Sequence, residues 1–228
     1  MKRLIVFGCS LAYGYGLPDC YNGVGPGDLP SKLGWPSITA KYMNRECVNM
    51  SVPGVSNKFI WKSIMDFKFN SSDIVIIHWT YPNRTCLIKK NKVEHMGNWT
   101  GHDLYYERFY DDHDAMLNSQ LYVNHVNNFL ESLDVEAHNI IVKPEDKNIL
   151  NLNDEMVASL IPVYISVMRD EYPLALDSHH PGIECNTQFA KTILETLKIK
   201  NDIPHQEPLD MIGKVQRRLQ YLRNKKNV

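Results

Sequence analysis

Apolar positions in this chain follow two periods, and the switching between them predicts most of its elements. Lys2–Phe7, apolar and partly β-branched from Leu4 onward, predicts a first strand. Cys47–Val52, closed by Pro53-Gly54, predicts a second strand, and Asp73–Trp79 (Asp-Ile-Val-Ile-Ile-His-Trp) a third. Asn139–Lys143, stopped by Pro144, predicts a short fourth. Between these runs the period lengthens to that of a helix. Trp35–Met43 carries Pro36 in its first turn, with Ile38 and Tyr42 on one face. Asn57–Phe69 follows Ser56 as N-cap, with Phe59, Ile60, Ile64 and Phe67 on one side. Ala115–Leu133 and Pro181–Leu197 complete the helices, the last with Phe189, Ile193, Leu194 and Leu197 inward. Asp154–Val167 is ambiguous because Pro162 interrupts it.

Strands alternating with helices at this spacing predict the α/β class, a three-layer α/β/α sandwich around a short parallel sheet. Two stretches break the alternation. Gly14–Gly34, with Pro18, Pro26 and Pro30, reads as an irregular loop beside the end of the first strand. Residues 81–114 read as an insertion rich in aromatics and histidines, among them Trp99, Tyr105, Tyr106, Phe109, Tyr110, His95, His102 and His113. Domain organisation is expected to be one domain over residues 1–200. A basic helical tail over 201–228 follows it, carrying Lys214, Arg217, Arg218, Arg223, Lys225 and Lys226.

At 228 residues the chain can bury a substantial core. Its net charge of −1 gives no excess to draw nucleic acid. The apolar runs are strand-sized, short of the roughly 20 residues of a membrane helix, so no membrane partner is expected. Met1-Lys2-Arg3 is followed only by Leu4 to Phe7 before a glycine, too short an apolar region for a signal peptide. The five cysteines (Cys9, Cys20, Cys47, Cys86, Cys185) are odd in number and lack C-x-x-C spacing. Together these predict a reducing, cytoplasmic location, with no structural zinc. The scattered histidines match no single-helix ligand pattern, so no metal and no cofactor is expected.

In open α/β sheets ligands bind at the carboxyl ends of strands. Ser10 follows the first predicted strand in Gly8-Cys9-Ser10, Gly54 the second and Thr80 the third, while Asp177-Ser178-His179-His180-Pro181 lies before the last helix. An acid and a histidine three residues apart, with a serine at a strand end, suit nucleophilic catalysis. Each residue has a plainer reading. Ser10 suits a helix N-cap, Gly54 a turn after Pro53, and Thr80 a strand end. Asn57 is either a second cap or a pocket donor, with capping favoured. Cys9 competes as nucleophile, although a cysteine beside a strand end is more often buried and inert. His179 competes with His180, which the spacing favours.

These blocks resemble the SGNH hydrolases, also called the GDSL esterase/lipase superfamily. Gly8-Cys9-Ser10 stands where that family has Gly-Asp-Ser. Val52-Pro53-Gly54-Val55-Ser56-Asn57 matches its second block, and Asp177-x-x-His180-Pro181 its last. The blocks are short and spread over almost the whole chain. Thr80, in His78-Trp79-Thr80-Tyr81, falls where the third block has an oxyanion-hole asparagine, and Cys9 replaces an aspartate outside the triad. The resemblance implies a flavodoxin-like SGNH fold and a serine esterase acting on a small ester or an acylated carbohydrate. Ser10 would be nucleophile, His180 base and Asp177 its orienting acid, with Gly54, Thr80 and Asn57 as oxyanion or substrate contacts. Losing one oxyanion donor costs on the order of 10²–10³ in rate. The altered third block therefore keeps a second expectation open: an SGNH-fold binding or assembly protein, such as a virion-associated subunit with an assembly partner or an oligomer.

Overall fold

The first strand organises the molecule because both of its faces are buried. The computed structural model describes residues 2–90, 92–142, 161, 165 and 171–200. In it β1 (Arg3–Phe7) pairs in parallel with β2 (Glu46–Asn49) on one side and β3 (Ile74–His78) on the other. β3 pairs in parallel with β6 (Glu136–Ile140), giving the order β2-β1-β3-β6. Side chains alternate across the sheet as the period of two requires. Ile5, Phe7, Val75 and Ile77 face one way, against Ile60 and Ile64 of α3 (Asn57–Met65) and Val123, Val126 and Leu130 of α5 (Asp112–Ser132). Leu4, Val6, Ile74 and Ile76 face the other way. There they meet Trp35 and Ala40 of α2 (Trp35–Tyr42) and Cys185, Phe189, Ala190 and Ile193 of α6 (Ile183–Thr196). The predicted three-layer α/β architecture is therefore the one observed.

Element edges differ from the sequence expectation where side chains intervene. β2 stops at Asn49 rather than Val52. The Asn49 amide donates to the Ala12 carbonyl, and its oxygen accepts the Ser51 N–H, turning the chain. α3 has Ser56 as N-cap, as expected, its hydroxyl accepting the Phe59 N–H. It ends at Met65 because Phe67 and Phe69 turn back onto Phe7, with ring centroids 5.7 and 6.2 Å away. α5 begins before Ala115 because Asp111 caps it, accepting from the His113 and Asp114 N–H groups. β6 lies three residues before its expected start, and Ile140, Ile141 and Val142 continue into the core.

The insertion is more regular than its sequence predicts. β4 (Thr85–Lys89) and β5 (Lys92–Met96) form an antiparallel hairpin, followed by α4 (Asp103–Arg108). Its signal was obscured because Leu87 and Ile88 are adjacent and both exposed, so no alternation of apolar and polar positions survives. His95 packs edge-on against Phe59, 4.9 Å between centroids, which fastens the hairpin to α3. All five cysteines are free thiols. No described helix is long and apolar enough to cross a membrane. The ambiguous segment 154–167, apart from Ile161 and Ile165, and the tail 201–228 lie outside the described residues.

Candidate active site

β1 has neighbours β2 and β3 on opposite sides, so the crevice at its carboxyl end is the switch point of the sheet. Ser10 stands at that point. It is the first residue of α1 (Ser10–Tyr13), only 8% exposed, and its N–H has no partner within so short a helix. Gly8, just before it, allows the end of β1 to approach β3. A Cβ there would lie 2.8 Å from Ala12 Cβ and 3.1 Å from His78 Cβ. Cys9 is buried in the core cluster and occupies the N-cap position of α1, pointing away from solvent chemistry.

The acid and the histidine are joined locally. Asp177 Oδ2 and His180 Nδ1 are 2.5 Å apart, and Asp177 Oδ1 accepts the N–H groups of His179 and His180 at 3.1 and 3.0 Å. Burial pushes the Asp177 carboxyl up. The two backbone N–H groups and the imidazole outweigh that, and its pKa lies below the ordinary carboxylate value. A carboxylate on Nδ1 fixes that nitrogen as the donor and leaves Nε2 as the basic atom. His179 is exposed, and its backbone N–H donates to the carboxylate, whereas His180 meets it with both its N–H and its ring.

This loop is held against the turn that follows Ser10. The Leu176 N–H donates to the Gly16 carbonyl at 3.0 Å, and the Tyr15 N–H to the Ser10 carbonyl at 3.1 Å. The Tyr15 ring lies 4.7 Å from the His180 ring. Gly16 has φ +88°, and a Cβ there would lie 2.6 Å from Asp177 Oδ1. From the other side, Asn186 of α6 accepts the Trp35 N–H and donates to the carbonyls of Pro181 and Gly182, fixing the exit of the loop. Ser10 and His180 make no hydrogen bond to one another. Such bonds are often long without substrate and tighten in the reacting complex.

The Val52 N–H donates to the Gly8 carbonyl at 3.1 Å, which brings the turn containing Gly54 beside the start of α1. Gly54 has φ +76°, a left-handed conformation that a side chain would strain. Its N–H bonds to none of the described residues. Thr80 also lies at this edge but is 1% exposed, and its groups are engaged. Asn57 Oδ1 accepts the Thr80 N–H at 2.7 Å, and Asn57 Nδ2 donates to the Thr80 carbonyl at 3.0 Å and to Ser119 Oγ at 3.1 Å. Asn57 is thus neither the cap, which is Ser56, nor a free pocket donor. It clamps the backbone at the end of β3. The Thr80 hydroxyl accepts from Arg84 Nη1 at 2.9 Å.

Ser10 and the turn with Gly54 thus lie at the carboxyl edge of a four-stranded parallel sheet layered between helices, with the carboxylate–imidazole pair bonded to the turn after Ser10. Solved structures share this arrangement of elements. A protein described as lipolytic, of the G-D-S-L family, from Desulfitobacterium hafniense DCB-2 superposes with a TM-score of 0.51 at 12% identity, over 86% of this chain and 98% of its own. The chain has the SGNH-hydrolase fold. A GDSL-like lipase from Parabacteroides merdae matches this SGNH-hydrolase fold with a TM-score of 0.50 at 13% identity, over 87% of this chain and 96% of that one. An acetyl xylan esterase from the rumen bacterium Butyrivibrio proteoclasticus matches with 0.54 at 14%, over 86% of this chain and 63% of that one. No family model matches the sequence, and the curated proteins include no significant match to it.

Within the SGNH-hydrolase fold, several neighbours of the site were not apparent from the sequence. Tyr15 was seen only as part of a glycine-rich turn, although it is the ring against His180. Arg84 and Trp99 belong to the insertion, yet Trp99 lies 3.9 Å from where a Gly54 Cβ would be. The aromatic richness of the insertion was the available signal, without a means of telling which ring reaches the site. Tyr105, Tyr106, Phe109 and Tyr110 pack among themselves instead.

Proposed function

We propose that this chain is a serine esterase that hydrolyses a small acyl ester, with Ser10 as nucleophile, His180 as base and Asp177 as the acid that orients it. The observation that carries the reading is the Asp177–His180 pair, bonded through Leu176 to the turn leaving Ser10. In this mechanism Ser10 Oγ attacks the ester carbonyl while its proton passes to His180 Nε2. The tetrahedral intermediate collapses, and the alcohol leaves with that proton. Water then attacks the acyl-serine with His180 again as base, releasing the acid and restoring Ser10. Asp177 stabilises the imidazolium in both halves. The N–H groups of Ser10 and Gly54 supply the oxyanion donors. The Thr80 hydroxyl hydrogen is the third: its oxygen accepts from Arg84 Nη1, which leaves the hydrogen to donate. An O-acyl carbohydrate is the substrate class this reading favours, since an acetyl xylan esterase shares the fold.

Hydrolysis of p-nitrophenyl acetate by wild type, Ser10→Ala and His180→Ala tests this reading. Wild type should turn over, and each variant should lose about 10³-fold or more. Turnover retained in Ser10→Ala would refute the nucleophile. A pure, folded wild type inactive on acetate, butyrate and acetylated xylan would favour the second reading, an SGNH-fold binding or assembly protein. That reading draws on one observation: Thr80, which stands where the resemblance expects an oxyanion asparagine, is 1% exposed and its backbone is held by Asn57.

A further inference from the structure

Arg84 presents an unused pair of donors at the edge of the site. Its guanidinium is sandwiched, with Cζ 4.8 Å from the Tyr81 ring centroid and 4.7 Å from that of Trp99. Nη1 is spent on the Thr80 hydroxyl. Nε is buried and has no partner among the described residues, and no described carboxylate pairs with the guanidinium. Two acids share its cavity, and each is bonded elsewhere through one oxygen. Asp111 and Asp114 line the cavity of about 190 Å3 beside Arg84. Asp111 Oδ1 accepts the His113 and Asp114 N–H groups, and Asp114 Oδ2 accepts from Asn118. Lys58, on the same cavity, brings the cations there to two, matching the two carboxylates.

With Nη1 engaged, Nε and Nη2 are left as neighbouring donors on one edge of the plane. That fork matches the two oxygens of a carboxylate. A buried N–H without a partner carries an unmet desolvation cost that an anionic acceptor removes. Position relates this fork to catalysis. The Trp99 ring near Arg84 also rests over Gly54, and Thr80, which Arg84 bonds, lies two residues beyond the end of β3, the strand between β1 and β6. Trp99 itself is 54% exposed, a wall that can shift to admit a ligand.

We propose that Arg84 is a specificity-determining residue that binds a carboxylate on the substrate, so that the preferred ester is an anionic one. This deepens the esterase reading and rests on it for the word substrate. The carboxylate could belong to the alcohol, as in an acylated uronic acid, or to the acyl group, as in a dicarboxylate half-ester. Binding to the Ser10→Ala protein separates these sources and does not depend on turnover. Titration calorimetry would compare glucuronate with glucose, and monomethyl succinate with dimethyl succinate. At least one acid should bind about tenfold or more tightly than its neutral partner. That preference should vanish in Arg84→Gln and persist, weakened, in Arg84→Lys, which keeps the charge without the fork. The melting temperature of each variant checks that it is folded. Equal binding of acid and neutral probe in both pairs, or a preference that survives Arg84→Gln, would overturn the proposal. Acid binding by a wild type that hydrolyses no ester would instead sink the esterase reading and leave the anion site standing.

Discussion

His78 ends β3 with its imidazole wholly buried between Trp35 and Phe189, centroids 6.1 and 6.3 Å away, and neither ring nitrogen has a partner among the described residues. Burial lowers its pKa to about 3. An unfolded chain protonates this histidine near pH 6.5, whereas the folded one does not until about pH 3. The unfolded state therefore binds more protons between those values, and stability falls as pH falls through that window. Each unit below pH 6.5 shifts the folding equilibrium by up to about tenfold from this group alone. Urea denaturation of wild type and His78→Phe between pH 7 and pH 4 should show a flatter pH dependence in the variant. Parallel curves would show that the acid sensitivity lies elsewhere. Asp177 works in the same direction at lower pH. Its depressed pKa contributes stability above the ordinary carboxylate range, which is lost as the group protonates.

At the scale of elements, the site depends on turns whose backbone leaves no room for side chains. Gly16→Ala places a Cβ against Asp177 Oδ1 at a φ of +88°. We expect it to lower kcat for any ester by about tenfold or more through displacement of the acid–histidine loop, at a stability cost near 1–2 kcal/mol. A melting curve beside steady-state kinetics checks both, and a variant with unchanged kcat would show that the loop has slack. These turns also explain how far the sequence could be read. Ser10, Gly54, Asp177 and His180 were legible because each sits in a short motif whose spacing is local. Tyr15, Arg84 and Trp99 were not, since the groups they meet (His180, Trp99 and Gly54) come close only once strands and insertion are packed; Asn57 was legible as a candidate but not as the clamp on Thr80. The hairpin β4–β5 was missed for a related reason: a strand pair with Leu87 and Ile88 exposed has no two-sided pattern to detect.

For the molecule as a whole, the two ends of the sheet have different duties. The carboxyl ends carry the candidate chemistry. At the amino ends Arg3 Nε and Nη2 both donate to Asp73, at 2.9 and 2.5 Å, while Asp73 Oδ2 also accepts the Asn70 N–H. Arg45 Nη1 donates to the carbonyls of Arg3 and Ser72, tying β2 to the same corner. The Asp73 side chain is fully buried and that of Arg3 is partly exposed. Asp73→Ala should cost about 3 kcal/mol, somewhat below a fully buried pair. For a chain of this size that is roughly 6–12 °C in Tm. Well below that temperature KM and kcat should be unchanged, because no part of this corner touches the opposite edge. A changed KM would mean that the two ends of the sheet are coupled.

The backbone bond from Leu176 to Gly16 has a consequence for the order of events during synthesis. It joins a turn made near the start of the chain to a loop made near its end, so closing it carries the entropy of almost the longest loop the domain contains. Strands β1, β2 and β3 can pair and α3 can dock while the later residues are still being added. Ser10 is in place at that stage, but the loop carrying Asp177 and His180 is not. Only when α6 packs onto the far face of the sheet does His180 arrive. On the proposed mechanism a growing or half-folded chain is inert, and esterase activity should appear only with the last step of folding.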